Sequence, residues 1–325
     1  MPTQMSAWLE LLQQPMLQQP LLALLMILLS ALLPLPASYQ PLQLFRLVAI
    51  AMANKVNKAG DSTAQQLLSG GLALLLLLLP VLALASAFAE LSEWPELWHA
   101  LLLYCCLDWQ QHRQQALAIS QSLDKQQLNL ARDLLQPLVL RKTQQMSAVG
   151  ICKACIESLS LRFAKQWFSV LFWFMVGGGI AALAYRLLQE LQQCWNPKRP
   201  QFQYFGRPAA ILVKWLSFIP LMLCGALLAM LRNWIQSIHY VRLSQDGNLG
   251  LPQRWVLSAS SAALARNLAG PLYYGNEKQR RVRIGPVTEP QSSDIRLWLN
   301  LCRQLQVASF LLIASFWLLR MVSTW

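Results

Sequence analysis

The sequence predicts an all-α integral membrane protein, with about four to six transmembrane helices and amphipathic cytoplasmic helices between them. Three observations predict it. The 325 residues are 55% hydrophobic and only 13% charged, where a soluble globular chain carries about 25% charged residues. Several stretches are apolar over the length of a bilayer crossing. The formal net charge is +13, and the basic residues gather between those stretches. This composition excludes disorder, which needs low hydrophobicity and high charge. It also weighs against an ordinary soluble enzyme, because too few polar side chains remain to cover a surface.

A spanning helix needs about 20 mostly apolar residues, each rising 1.5 Å, to cross roughly 30 Å of hydrocarbon. Residues 17–36, 67–89, 167–183 and 208–231 meet that need; the first two are charge-free and the last carries only Lys214. Residues 307–322 make a fifth candidate, with Arg320 near enough to the end to reach the interface. Residues 97–107 are short and cross only by borrowing polar flanks. The first segment reads as a retained helix, since it has neither a basic leading region nor a small-residue cleavage site.

The positive-inside rule orients these segments. Arg46, Lys55 and Lys58 lie in residues 37–66, eight basic residues in 108–166 and ten in 232–306, whereas the turn holding Glu90, Glu93 and Glu96 has none. If 97–107 crosses, the basic regions are cytoplasmic, the acidic turn is outside, and six spans leave both termini outside. Residues 185–207, with Arg186, Lys198, Arg199 and Arg207, then fall outside against the rule. A broken or re-entrant helix at Gly177-Gly178-Gly179 would reconcile them. The expected organisation is N-terminal transmembrane helices over 1–107, a cytoplasmic amphipathic segment over 108–166 and a central transmembrane pair over 167–231. A cytoplasmic region over 232–306 and a last transmembrane helix over 307–325 complete it.

Between the spans, Ala116, Leu117, Ile119, Leu123, Leu128, Leu130, Leu134 and Leu135 recur at helical spacing until Pro137 interrupts them. A second helix is expected from Ser147 through Glu157 toward Trp167. Residues 255–268 look helical, and Gly270-Pro271 and Gly275 end that pattern. Asp294 is placed to cap a further helix that leads into the last span.

The chemistry-bearing residues are sparse. Cys152-Lys153-Ala154-Cys155 has CxxC spacing, but no second pair sits at ligand distance, and His99, His112 and His239 form no spaced cluster. Zinc is therefore set aside, as is nucleic acid, because the basic residues are dispersed rather than gathered with stacking aromatics. No nucleophile-elbow, Walker A or zincin motif occurs. Residues 270–286 are the best candidate for an anion or substrate loop: glycines permit tight turns, Tyr273 and Tyr274 offer hydroxyls, and Arg281 and Arg283 can hold phosphate or carboxylate. A basic loop against lipid headgroups is the equal alternative. Glu157 and Asp294 are the acids near the membrane surface.

Residues Leu138-Val139-Leu140-Arg141-Lys142-Thr143, Lys153-Ala154-Cys155-Ile156-Glu157-Ser158, Leu171-Phe172-Trp173-Phe174 with Gly177-Gly178, and Tyr185-Arg186 form an ordered series. Phe205-Gly206, Ala269-Gly270-Pro271 with Tyr273-Tyr274-Gly275, and Asp294-Ile295 continue it. In order and spacing this series resembles the adenosylcobinamide-phosphate synthase family of cobalamin biosynthesis (CobD/CbiB). The resemblance implies a multi-pass protein of the bacterial inner membrane. There it would join aminopropanol or its phosphate to a propionate of adenosylcobyric acid, with ATP and Mg²⁺. It also implies roles for matching residues. Glu157 would be the metal ligand or acid/base, Arg141 and Arg186 anion-binding catalytic residues, and Gly270, Pro271, Tyr274, Gly275, Arg281 and Asp294 substrate-binding. The implied partners are the corrinoid, the amine and the lipid bilayer, with no nucleic acid. Lys142 replaces an acid common in the family, and Leu187-Leu188-Gln189-Glu190 replaces a more polar stretch. A non-catalytic relative similar to the AmpE accessory proteins is therefore the second reading.

Overall fold

The computed structural model describes residues 15–35, 40–58, 60–244, 249–270, 272–274, 277–279 and 282–323. It is a helical membrane protein. Its helices are α1 (Pro15–Leu32), α2 (Pro41–Val56), α3 (Thr63–Leu91), α4 (Pro95–Cys106), α5 (Trp109–Asp124), α6 (Leu128–Leu135), α7 (Ala148–Arg162) and α8 (Ser169–Cys194). After these come α9 (Arg207–Leu216), α10 (Phe218–Leu231), α11 (Trp234–Leu243) and α12 (Leu251–Leu264). Four short strands, β1 (Leu268–Ala269), β2 (Leu272–Tyr274), β3 (Glu277–Gln279) and β4 (Arg283–Ile284), precede the long α13 (Ser292–Ser323).

Local chemistry sets the helix starts. Ser62 caps α3 in a reciprocal box: Gln65 N–H donates to Ser62 Oγ at 3.3 Å, and Ser62 N–H donates to Gln65 Oε1 at 2.9 Å. Ser147 caps α7 and Asn233 caps α11 by accepting from the N–H three residues on. Proline opens α2 and α4, where its missing N–H costs no hydrogen bond. Pro137 falls in a short 3₁₀ turn directly after α6, as the broken periodicity predicts.

Two helices among the described residues are long and apolar enough to cross a membrane, α3 and the kinked helical stretch Ala148–Cys194. They become three if the bent pair α9 and α10 forms one span. The outward face of α3 carries Leu72, Leu75, Leu76 and Leu79, all exposed. A row of that kind is stable against lipid and a liability in water. The short α4 has 12 residues, which reach about 18 Å and so fall short of the hydrocarbon thickness. The far half of the last expected span has its side chains outside the described residues.

The chain forms two compact units that are discontinuous in sequence. Unit 1 comprises residues 1–108, 169–217 and 310–325; unit 2 comprises 109–168 and 218–309. In unit 1, α8 is the central helix and touches α2, α3, α4 and α9. It is broken in its first half: Gly177 and Gly178 leave helical geometry, and Gly178 sits at φ +67°, a region that only glycine enters freely. The next residue, Gly179, donates its N–H to His99 Nδ1 of α4 at 3.1 Å. The glycine triplet therefore serves a kink and a close approach.

In unit 1 the segment after α8 lies against α2. Trp195 Nε1 donates to Ala49 O at 2.9 Å, and Asn57 Nδ2 donates to Gln201 O at 2.7 Å. Groups in hydrogen-bond contact cannot lie on opposite sides of about 30 Å of hydrocarbon. Residues 195–201 and the basic stretch around Lys55 and Lys58 thus share one side, which removes the conflict with the positive-inside rule.

In unit 2, α12 packs on α10, α11 and α7, and α7 also meets α5 and α6. The segment read as a Gly-Pro loop is a β-hairpin. Strand β1 pairs antiparallel with β4 (Leu268 opposite Ile284), and β2 with β3 (Tyr273 opposite Lys278). All seven cysteines are free thiols, six of them buried and Cys105 half-buried.

Candidate functional site

Two polar constellations are built from residues the sequence singled out, one in each unit. In unit 2, α7 is buried almost all round from Ile151 to Ser160, and Glu157 in that stretch is 8% exposed. Its Oε1 accepts the backbone N–H of Ala269 at 2.7 Å. That bond fixes the foot of the hairpin, where Ala269 (φ +60°) and Gly270 (φ +115°) turn the chain between β1 and β2. The structure therefore brings Glu157 to the Gly270 segment across 112 residues of sequence.

Next to this foot, Asn267 is held from both sides: its N–H donates to Thr288 O and its Nδ2 to Pro286 O. Lys153, one turn before Glu157 on α7, donates to Asn267 Oδ1 at 3.2 Å and pairs with Glu289 at 2.5 Å. Asp294 is buried and doubly engaged. Its Oδ2 accepts from Arg266 Nε at 2.8 Å and from the backbone N–H of Gln291 at 2.7 Å. It stands third in α13 rather than at the N-cap the sequence suggests, reaches back to the N–H of Gln291 ahead of the helix, and ties that turn to Arg266, the residue preceding Asn267.

Of the remaining sequence candidates, Arg141 is half-buried in the turn after α6, where its carbonyl accepts from Gln136 Nε2. Pro271, Gly275 and Arg281 lie outside the described residues. Tyr274 ends β2 opposite Glu277, and its side chain also lies outside them. Arg283, opposite Ala269 on β4, is exposed.

Arg186 belongs to unit 1 and is fully buried. Its Nη2 lies 2.5 Å from Asp108 Oδ2 and 3.0 Å from Glu190 Oε1, one turn further along α8. Glu190, also fully buried, in turn accepts at Oε2 from Arg46 Nε (2.9 Å) and Nη2 (2.5 Å) on α2. Two carboxylates and two guanidiniums alternate in one line, so the buried charges compensate pairwise. Arg186 clamps the chain's own acids through Nη2, while its Nη1 donates to Gln189 Oε1 at 3.4 Å. Sequence reasoning missed this line as a unit. The Arg186/Glu190 spacing of four on one helix was its readable signal, and Asp108, directly after an apolar run, was the second.

The carboxylates do not fit a protein-built magnesium cage. Among the described residues no three His, Cys, Asp or Glu side chains converge. Glu157 gives one oxygen to Ala269, and Asp294 is occupied by Arg266 and Gln291. Mg²⁺ is usually held by one or two carboxylates, with water and substrate phosphates completing its octahedron, so the missing cluster bears on a resident metal and not on one carried in with ATP.

Comparison with known proteins agrees with the ordered motifs. The profile of a family described as CobD/Cbib protein matches residues 23–302. A cobalamin biosynthesis protein CobD from Stutzerimonas stutzeri (strain A1501) is 29% identical over 279 residues, covering 85% of this chain and 90% of its own length. A protein of the same description from Chromobacterium violaceum is 28% identical over 228 residues, covering 70% of this chain and 73% of its own. One from Mycobacterium tuberculosis is 27% identical over 206 residues, covering 60% and 64%. No solved structure matches.

Proposed function

We propose, on the premise that this chain belongs to the CobD/CbiB family of cobalamin biosynthesis proteins, that it is a biosynthetic enzyme joining aminopropanol or its phosphate to a corrinoid carboxylate as an amide. The bacterial inner membrane, crossed several times, is where this reading places it. A carboxylate is a poor acyl donor and needs activation, which ATP supplies in this reading. ATP and Mg²⁺ enter through the family resemblance alone. The described carboxylates form no cage for the metal, so no step is drawn through it.

One observation carries the reading: the buried Glu157 carboxylate is hydrogen-bonded to the foot of the Gly270 hairpin. Two segments that match the family's motifs thereby meet in one place, with Lys153 and Arg266 beside them. In the proposed chemistry the hairpin, with the exposed Arg283, receives the anionic end of a substrate. Glu157 holds the hairpin in register and supplies the negative charge that faces the incoming amine.

Complementation tests this. A corrinoid auxotroph lacking its synthase should grow on cobyric acid when it expresses this chain. Glu157→Gln keeps a carbonyl acceptor for Ala269 N–H while removing the charge, so it should abolish growth at unchanged membrane abundance. Growth of that variant at the wild-type rate would remove Glu157 from the site. Failure of the wild-type chain itself, despite verified membrane insertion, would replace the enzyme reading with that of a non-catalytic membrane accessory.

A further inference from the structure

The outward face of α11 carries Ile235, His239, Arg242 and Leu243, spaced i, i+4, i+7 and i+8 along one helical stripe, and all four are exposed. Ile235 is 79% and Leu243 64% exposed. The opposite face is packed. Ser237 is fully buried, and Trp234 stands edge-on to Trp255 of α12 with ring centroids 5.8 Å apart. Trp255 Nε1 in turn donates to Met222 O of α10 at 3.0 Å, and Arg254 Nη1 donates at 3.1 Å to the carbonyl of Ser244, directly after α11. The helix is thus fixed against its neighbours in unit 2, with its aliphatic stripe turned away from them.

This apolar surface begins before α11. Met230 and Leu231, the last residues of α10, are also exposed. Arg232 follows them, exposed, and its Nη2 donates to Gln304 Oε1 of α13 at 2.7 Å. That hydrogen bond joins two helices where each changes character: α10 carries no charge up to Leu231, and α13 carries none from Val307 to Leu319. A change from apolar to basic and polar residues marks the edge of the hydrocarbon. The charge at this edge has one sign. No acidic residue occurs in α10, α11 or α12, whereas Arg232, Arg242 and Arg254 do occur in or between them. The one acid in that part of the sequence, Asp246, lies outside the described residues.

We propose that α11 lies in the headgroup layer of the bilayer, with Ile235 and Leu243 at the acyl boundary, and that Arg232 and Arg242 hold anionic phospholipid there. With 10 residues, α11 reaches about 15 Å and is too short to cross the bilayer. An interfacial helix buries an apolar stripe only about 5–10 Å deep and sets basic residues beside it. Arginine suits that position, since its stem lies along apolar surface while its head meets a phosphate. Each basic residue near an anionic leaflet strengthens attachment about fivefold. In water the same stripe is an association hazard. The proposal concerns where α11 sits and is independent of amide formation at the Glu157 hairpin.

The test uses the full chain in nanodiscs of equal parts phosphatidylglycerol and phosphatidylcholine. A bimane fluorophore is attached at Leu243→Cys and, for reference, at Lys125→Cys, an exposed position in the turn between α5 and α6. The chain with no introduced cysteine sets the background from native thiols. Each lipid in turn carries a nitroxide quencher high on one acyl chain. Quenching at position 243 well above that at position 125, and about twofold or more stronger when phosphatidylglycerol bears the nitroxide, is the expected result. That preference should be lost in the Arg232→Gln/Arg242→Gln variant and at about 1 M salt, where charges are screened beyond roughly 3 Å. The salt arm leaves the sequence intact and so reports even if the double variant misfolds. Quenching at position 243 no greater than at position 125 overturns the proposal, as does equal quenching by the two lipids or a preference that survives high salt.

Discussion

The two units handle buried charge in opposite ways. In unit 1, Asp108, Arg186, Glu190 and Arg46 neutralise one another side chain to side chain, on three elements far apart in sequence. In unit 2, Glu157 and Asp294 are quenched largely by backbone N–H groups, those of Ala269 and Gln291, with Arg266 as an added partner. A carboxylate bound to an N–H needs an oxygen acceptor there and no particular charge, whereas a carboxylate bound to a buried guanidinium needs its charge. Unit 2 can therefore give up an ionic charge and keep its fold; unit 1 cannot.

Arg186→Met breaks the comparison most directly. It leaves Asp108 and Glu190 buried with too few counter-charges, and loss of one partner in a buried pair costs about 3–5 kcal/mol. A large fall in the melting temperature of the detergent-solubilised protein is the expected outcome; an unchanged melt would mean that the line of charges is not buried. The combined Asp108→Leu, Arg186→Met, Glu190→Leu variant should recover most of that loss, because replacing a whole buried ionic set by apolar residues is often neutral or stabilising.

Next in size is Glu157→Ala, which leaves the Ala269 N–H buried without its acceptor and should cost about 1–3 kcal/mol. Glu157→Gln should cost less, and the difference between the two, read from thermal melts, separates the acceptor from the charge. Equal losses would place the charge, not the acceptor, in the structural role.

The smallest effect concerns an exposed carboxylate. Ser292 Oγ and Arg296 Nη1 both donate to Asp124, and these hydrogen bonds hold its carboxyl below the usual carboxylate range. A group depressed in the folded state contributes stability that is present above its unfolded pKa and is lost as pH falls through the folded value. The stabilisation relative to Asp124→Asn should therefore be flat near neutrality and fade below about pH 4. A gap between the two melting temperatures that persists undiminished at pH 3 would contradict this.

Much of the fold was legible before the structure. Uninterrupted leucine in residues 74–79 marks α3, Pro137 ends the first amphipathic stretch, and Asp294 falls in the first turn of α13. The candidate site was legible only in part. Glu157 and Gly270 could be named separately, but their contact spans 112 residues, and no local pattern encodes pairing at that distance. The hairpin escaped because strands of two or three residues are too short to show alternation. The charge line in unit 1 escaped for the first reason: Arg46 and Glu190 are 144 residues apart. The ties from Trp195 to Ala49 and from Asn57 to Gln201 escaped for the same reason, spanning 146 and 144 residues.

The burial of six of the seven native thiols makes the molecule nearly its own blank for surface labelling. With six sulfurs buried and Cys105 half-covered, a cysteine introduced at the exposed Lys58 or Lys198 becomes the fast-reacting nucleophile without stripping out the originals. Impermeant maleimide applied to sealed vesicles of one orientation should then modify both positions or neither.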